Sequence, residues 1–95
     1  MVLERAEVII QDGRMEEFLV VLKEKALPLT AQFTGLLSFT ALRGVEDANS
    51  VMFLAEWESV EAHLASRPEP AHEAVRQFVL PFMAGAKPTV HFDPV

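Results

Sequence analysis

Val51-Met52-Phe53-Leu54-Ala55-Glu56-Trp57 decides the reading of this chain. The run is too short for a free-standing helix and is apolar on both parities until Glu56, so it reads as a strand covered on both faces. One face can be covered by the chain's own helices. A chain of 95 residues has little else in reserve for the other face, and a second copy of the same chain would cover it.

Upstream of this run, Gly44 to Ser50 is a turn and Leu36 to Arg43 a strand, with Phe39 and Leu42 on opposite faces. Thr34-Gly35 breaks a preceding helix whose apolar face is Met15, Phe18, Leu19, Leu22, Ala26, Leu29 and Phe33. Pro28 lies inside that pattern and predicts a bend, because it has no N–H to give. Asp12, in the turn Gln11-Asp12-Gly13, is the expected N-cap. Before it, Val2 to Ile10 splits by parity, and Val2, Glu4, Ala6, Val8 and Ile10 form the more apolar row of a strand.

Downstream, Ser59 is the expected N-cap of a short helix through Ala62, His63 and Leu64, with Glu61 near its positive end. Arg67-Pro68-Glu69-Pro70 interrupts it. A second helix starts at about Ala71 and carries Val75, Phe78, Val79 and Phe82 on one side, until Pro81 and Gly85 end it. Thr89 to Phe92 reads as a final strand. The order strand, helix, strand, strand, helix pair, strand is the split βαβ plan of a ferredoxin-like α+β domain with an antiparallel four-stranded sheet. Residues 1–95 make a single domain.

Composition narrows the function. The chain is 51% hydrophobic with a mean hydropathy of +0.22, more apolar surface than so small a domain easily hides, which favours self-association or a ligand pocket. Eight basic against fourteen acidic residues give a net charge of −6, which argues against nucleic acid and anionic membranes as partners. There is no cysteine, hence no disulfide, thiolate metal site or Cys nucleophile. Charges in Met1 to Arg5 leave no signal-peptide core and no stretch is long enough to span a membrane, so the cytoplasm is the expected compartment. Phosphate loops, nucleophile elbows and zinc-type histidine pairs are absent.

The segment Leu54-Ala55-Glu56-Trp57-Glu58-Ser59-Val60-Glu61-Ala62-His63-Leu64, continued by Ser66, resembles the EWxSxEAHxxS stretch of antibiotic-biosynthesis-monooxygenase domains. The opening AEVIIQDGRMEEF from Ala6 to Phe18, Ala26-Leu27-Pro28-Leu29, the turn Glu46 to Ser50 and the tail from Leu80 to Val95 match in the same order. The resemblance implies a dimeric α+β barrel, in which two sheets face one another, helices cover the outside, and each protomer holds a cavity between sheet and helices. Such domains include oxygenases of phenols or quinols that use no metal or flavin, haem-degrading enzymes and an isomerase of a phosphorylated signal, so the resemblance bears more on fold than on chemistry.

A cofactor-independent monooxygenase or quinol oxidase of a small aromatic is the leading expectation, with no cofactor and a homodimer as the working form. Such an enzyme must deprotonate its substrate and exclude water. His72, with Arg76 one helical turn along, pairs a base with a cation for the resulting anion, although Glu69 and Glu73 also permit a solvated charged face. His63 is the other candidate base, because the matching position in the resembling domains lies close to the cavity; a structural helix histidine is its plainer reading. His91 reads as interface or surface. Trp57, Phe53, Phe78 and Phe82 are the candidate substrate-binding wall, or else core. Arg5 and Glu7, on one strand face, are expected to pair with each other or to meet a partner.

Two other readings stand beside it. Haem degradation in the resembling domains uses an Asn in the first strand, a Trp near the end of the short helix and a His in the next. The matching neighbourhoods here hold Ala6 or Glu7, Ala65 or Ser66, and His72, so haem is the weaker alternative. The absence of tyrosine also weighs against the polyketide oxygenases whose pockets use phenols. A dimeric ligand-binding or stress-response module without turnover is the third reading.

Overall fold

The first strand organises everything that follows. In the computed structural model, which describes all 95 residues, Val2–Ile10 forms β1 with Val2, Glu4, Val8 and Ile10 buried on the face that the parity of the sequence selects. β2 is Leu36–Arg43 and β3 is Ser50–Trp57. β3 runs antiparallel to β1, with Val2 opposite Trp57, Glu4 opposite Ala55 and Val8 opposite Val51, so the buried parities of both strands share one face.

Three helices cover that face: α1, Met15–Val21; α2, Val60–Ser66; and α3, Pro70–Val79. The sheet order is β2-β3-β1-β4, with β4 at Met83–Ala86. β5, Val90–Phe92, also pairs with β1, nearer that strand's start. The fourth position of the expected sheet is thus filled by two short segments, β4 beside Val8 to Ile10 and β5 beside Leu3 to Arg5. The sequence reading began the last strand at Thr89 and did not foresee β4. Pro88, which has no N–H for a ladder, falls between the two pieces.

The long helix expected from Met15 to Phe33 changes pitch twice. After α1 the backbone widens into a π turn over Leu22–Ala26, where the Leu27 N–H reaches the Leu22 carbonyl, and then tightens into a 3-10 turn over Leu27–Gln32. Pro28 sits in the first turn of that last piece, where an N–H has no intrahelical partner in any case. The predicted bend is therefore a pitch change.

Asp12 does not cap α1. Gly13, at φ 76°, turns the chain so that Arg14 becomes the N-cap residue, without a side-chain bond. Asp12 Oδ1 instead accepts from Asn49 Nδ2 at 2.6 Å, tying the β1–α1 turn to the β2–β3 turn. Ser59 does cap α2, its Oγ accepting from the Ala62 N–H at 3.0 Å. Gly35, at φ 83°, lies so close to α2 that a Cβ there would come within 2.9 Å of Ala62 Cβ.

The main core joins β1, β3, α1 and α3 through residues such as Val8, Ile10, Phe18, Leu22, Val51 and Phe82. Phe18 is fully buried, a burial that stabilises by about 1.5–3 kcal/mol. A smaller cluster of Val2, Phe33, Ala55 and Trp57 lies beside it. The opposite sheet face carries Leu3, Ile9, Met52, Leu54 and Leu42, and none of these is buried. On that face Arg5 and Glu7 do not pair with each other. Arg5 lies over the Phe92 ring, while Glu7 bonds Ser50 and Lys87.

Candidate functional site

Between the helix-covered face of the sheet and α3 is a cavity of about 200 Å³. Its wall toward α3 is written in helical periodicity, because His72, Val75, Arg76 and Val79 fall on one stripe and all four line it. Across from them stand Glu4, Phe39, Phe53 and Trp57 from the sheet, with Phe33 at one end. The lining is mostly aromatic and aliphatic, and its ionisable groups are His72, Arg76 and Glu4.

His72 is fixed from two directions. Its ring stacks on Phe33, with 4.5 Å between centroids and 4° between planes, and lies parallel to Trp57 at 6.2 Å. Its Nδ1 lies 3.0 Å from the Oγ of Ser66, the last residue of α2, which is itself buried. Burial, reinforced by the nearby Arg76 and Arg67 and opposed by Glu69 and Glu73, pulls the His72 pKa below its usual value. That environment favours the neutral imidazole. Arg76 follows one turn later, half exposed and loosely paired with Glu73 at 3.8 Å.

Glu4 is the group that sequence reading did not single out. It is 9% exposed, and the Trp57 indole N–H donates to its Oε1 at 2.8 Å. Burial raises its pKa, against the lowering effects of that bond and of His91 and Arg67. The available signal was a lone acid in the apolar row of β1.

His63, 1% exposed, stacks on Trp57 at 4.7 Å behind the cavity wall and is not part of the lining. Its Nε2 is 3.4 Å from Glu4 Oε1, and its Nδ1 is 2.7 Å from His91 Nε2. Burial, then the positive fields of Arg67, His91 and His72, press its pKa down to about 4.

Of the candidate residues, the structure brings His72, Arg76, Trp57 and Phe53 to one cavity. His63 meets that group through Trp57 and Glu4, and its ring lies 6.1 Å from that of His72. Phe78 and Phe82 lie off the cavity: Phe78 is on another stripe of α3, and the helix expected to carry Phe82 ends at Val79, leaving Phe82 in a 3-10 turn over Leu80–Phe82 that includes Pro81. Phe82 packs on Phe18 at 5.5 Å and carries Arg14 over its ring, while Phe78 borders the main core. Phe33 and Phe39 line the cavity although neither was proposed, since their positions depend on the turns after α1 and Gly35. His91, expected at an interface or surface, is half-buried against His63.

No curated protein matches the chain in sequence. Solved structures match its fold over nearly its whole length. A candidate antibiotic biosynthesis monooxygenase of Bordetella bronchiseptica superposes with a TM-score of 0.88 at 23% identity, over 99% of this chain and 96% of the other. One from Caulobacter crescentus gives 0.82 at 22% identity, over 99% and 89%. An uncharacterised NIPSNAP domain protein of Burkholderia xenovorans gives 0.76 at 21% identity, over 100% and 95%. At these identities the likeness is one of fold. The family model of antibiotic biosynthesis monooxygenases matches residues 1–77, from β1 through most of α3, and the chain belongs to that family.

Proposed function

We propose that this protein is a cofactor-independent monooxygenase or quinol oxidase that binds a small phenol or quinol in the cavity between sheet and helices. The observation that carries the reading is His72: an imidazole in an aromatic cavity wall, oriented by Ser66, with Arg76 one turn away. His72 accepts the hydroxyl proton of the substrate, and Arg76 holds the resulting anion. The electron-rich anion then reduces dioxygen. A quinol yields quinone and hydrogen peroxide, two electrons and two protons passing to O₂. In oxygen insertion, a ring CH₂ becomes C=O and the second oxygen atom leaves as water.

The size of the cavity supports a small aromatic, because about 200 Å³ falls below the roughly 300–1,000 Å³ of pockets for drug-sized ligands. The same volume speaks against haem, for which His72 is the one nitrogen ligand on offer in the wall. Membrane insertion has no support in the helices, none of which is long and apolar enough to cross a bilayer.

The working form in this proposal is a homodimer. Its support is the open sheet face, where Met52 and Leu54 of the central strand are only half-buried beside Leu42, which is 42% exposed.

Oxygen uptake by metal-stripped protein over a panel of quinols and polycyclic phenols tests the reading. Uptake that His72→Ala abolishes is the expected result. Binding of these compounds with no oxygen consumed would identify a ligand-binding module instead.

A further inference from the structure

Besides His72 and Arg76 the cavity contains a third ionisable group, Glu4, whose connections lead out of it. In the β1–β5 register His91 stands directly across from Glu4. α2 inserts the ring of His63 against both. One ring nitrogen, Nε2, faces Glu4 Oε1 at 3.4 Å, and the other, Nδ1, meets His91 Nε2 at 2.7 Å. Glu4 lines the cavity, His63 is sealed from solvent, and His91 is half-buried at the free edge of β5. An imidazole engaged at both nitrogens can take a proton at one and release a proton from the other.

We propose that Glu4, His63 and His91 form a proton relay between the cavity and the sheet edge, a reading that rests on the oxygenase assignment above and deepens it. With Glu4 ionised, the His63 Nε2–H faces Oε1 and His63 Nδ1 accepts from the His91 Nε2–H. When His91 Nδ1 takes a proton from solvent, its Nε2–H bond breaks as an N–H bond forms at His63 Nδ1. The His63 Nε2–H bond then breaks as an O–H bond forms on Glu4. One proton has entered at the edge, one has appeared in the cavity, and both rings are neutral again. The same steps in reverse carry a substrate proton out.

In quinol oxidation the division of labour is then complete. His72 takes the first hydroxyl proton, and the quinolate gives two electrons and its remaining proton to dioxygen. Glu4 protonates the hydroperoxide anion, and His72 returns its proton to solvent. The Trp57 N–H holds Glu4 in place at 2.8 Å. The other groups around the relay are Arg67, just past α2, whose charge favours neutral His63 between transfers, and His72, whose ring is 6.1 Å from His63.

Imidazole nitrogen NMR of the resting protein reads the relay without any substrate. His63 and His91 are expected to share one hydrogen, and their ring nitrogens to shift together as Glu4 titrates. Glu4→Gln should abolish that joint shift in a folded protein. Titration of His91 that leaves His63 unmoved and is the same in Glu4→Gln would overturn the relay.

Turnover gives a second readout, with a naphthoquinol as the probe. His91→Ala should lower kcat about tenfold or more at unchanged KM, and added imidazole should restore it. A His91→Ala enzyme as fast as the parent, or a slow one that imidazole does not restore, would overturn the relay. A parent protein that consumes no oxygen would remove the oxygenase assignment, while the nitrogen spectra would still decide the relay.

Discussion

The imidazole of His72 lies flat against the phenyl ring of Phe33, with centroids 4.5 Å apart and planes 4° from parallel. Phe33 follows the 3-10 turn and His72 belongs to α3, so this stack joins two distant parts of the chain at the cavity wall. It leaves Ser66 to set the rotation of the ring through Nδ1.

Ser66→Ala should therefore act on orientation. Oxygen-uptake kinetics with a quinol are expected to show kcat reduced by about tenfold, against about 10²–10⁴-fold for His72→Ala. Urea unfolding should register a loss of about 1–3 kcal/mol for Ser66→Ala, because the His72 nitrogen is left buried without its partner.

Activity should fall on acidification with an inflection below the ordinary histidine value of 6.5, since burial lowers the pKa of His72. The base form persists above the lowered pKa and is lost as pH drops through it. A pH profile of kcat/KM with an inflection above 6.5 would contradict the assignment.

Stability carries a separate pH signature from His63. Its pKa is about 4 in the folded protein against 6.5 unfolded, so between those values the unfolded chain binds the extra proton. Stability is full above 6.5 and declines as pH falls toward 4, by about 3 kcal/mol in total. Glu4 works in the opposite sense, because its raised pKa favours the folded state as it protonates. Urea midpoints measured across this range should drop less steeply in His63→Gln than in the parent.

Glu4→Gln and Glu4→Ala should separate clearly in stability. The amide oxygen of Gln can still accept the Trp57 N–H, whereas Ala leaves that buried donor unpaired at a cost of about 1–3 kcal/mol. Urea unfolding of the two variants measures the difference directly.

The open sheet face predicts association. Leu54→Lys places a second cation beside Arg5, the residue opposite it in the β1–β3 register. Sedimentation should find the parent at twice the 10.6 kDa chain mass and the variant at the chain mass, with an unchanged circular dichroism spectrum. A parent that sediments as a monomer would refute the dimer.

Much of the architecture was legible in local pattern. The parity of Val2 to Ile10, the apolar run Val51 to Trp57, the Ser59 cap and the prolines around Glu69 each act over a few residues, and each lies where the pattern placed it. The misplaced details have local causes too. Gly13 moved the start of α1 past Asp12, and β4 hid in Met83–Ala86 because a short edge strand needs only a neighbour's free backbone groups.

The site was legible in part, for the same reason. His72 and Arg76 share a helical stripe, and spacing alone puts them on one face. Phe78 and Phe82 have helical spacing as well, but α3 ends at Val79 and Phe82 lies in the 3-10 turn beyond it, so only the packing decides that Phe82 meets Phe18 and Phe78 the core while the His72 stripe meets the cavity.

The sequence by itself determined the order of elements as far as α3 and the buried face of β1, because periodicity, caps and turns are short-range physics, and the motif from Leu54 to Ser66 carried the likeness to the family. Only the tertiary structure decided that Glu4, His63 and His91 lie in one line. That line depends on the β1–β5 register and on the seating of α2 against it, and the burial that sets each group's proton affinity exists only once those elements are packed.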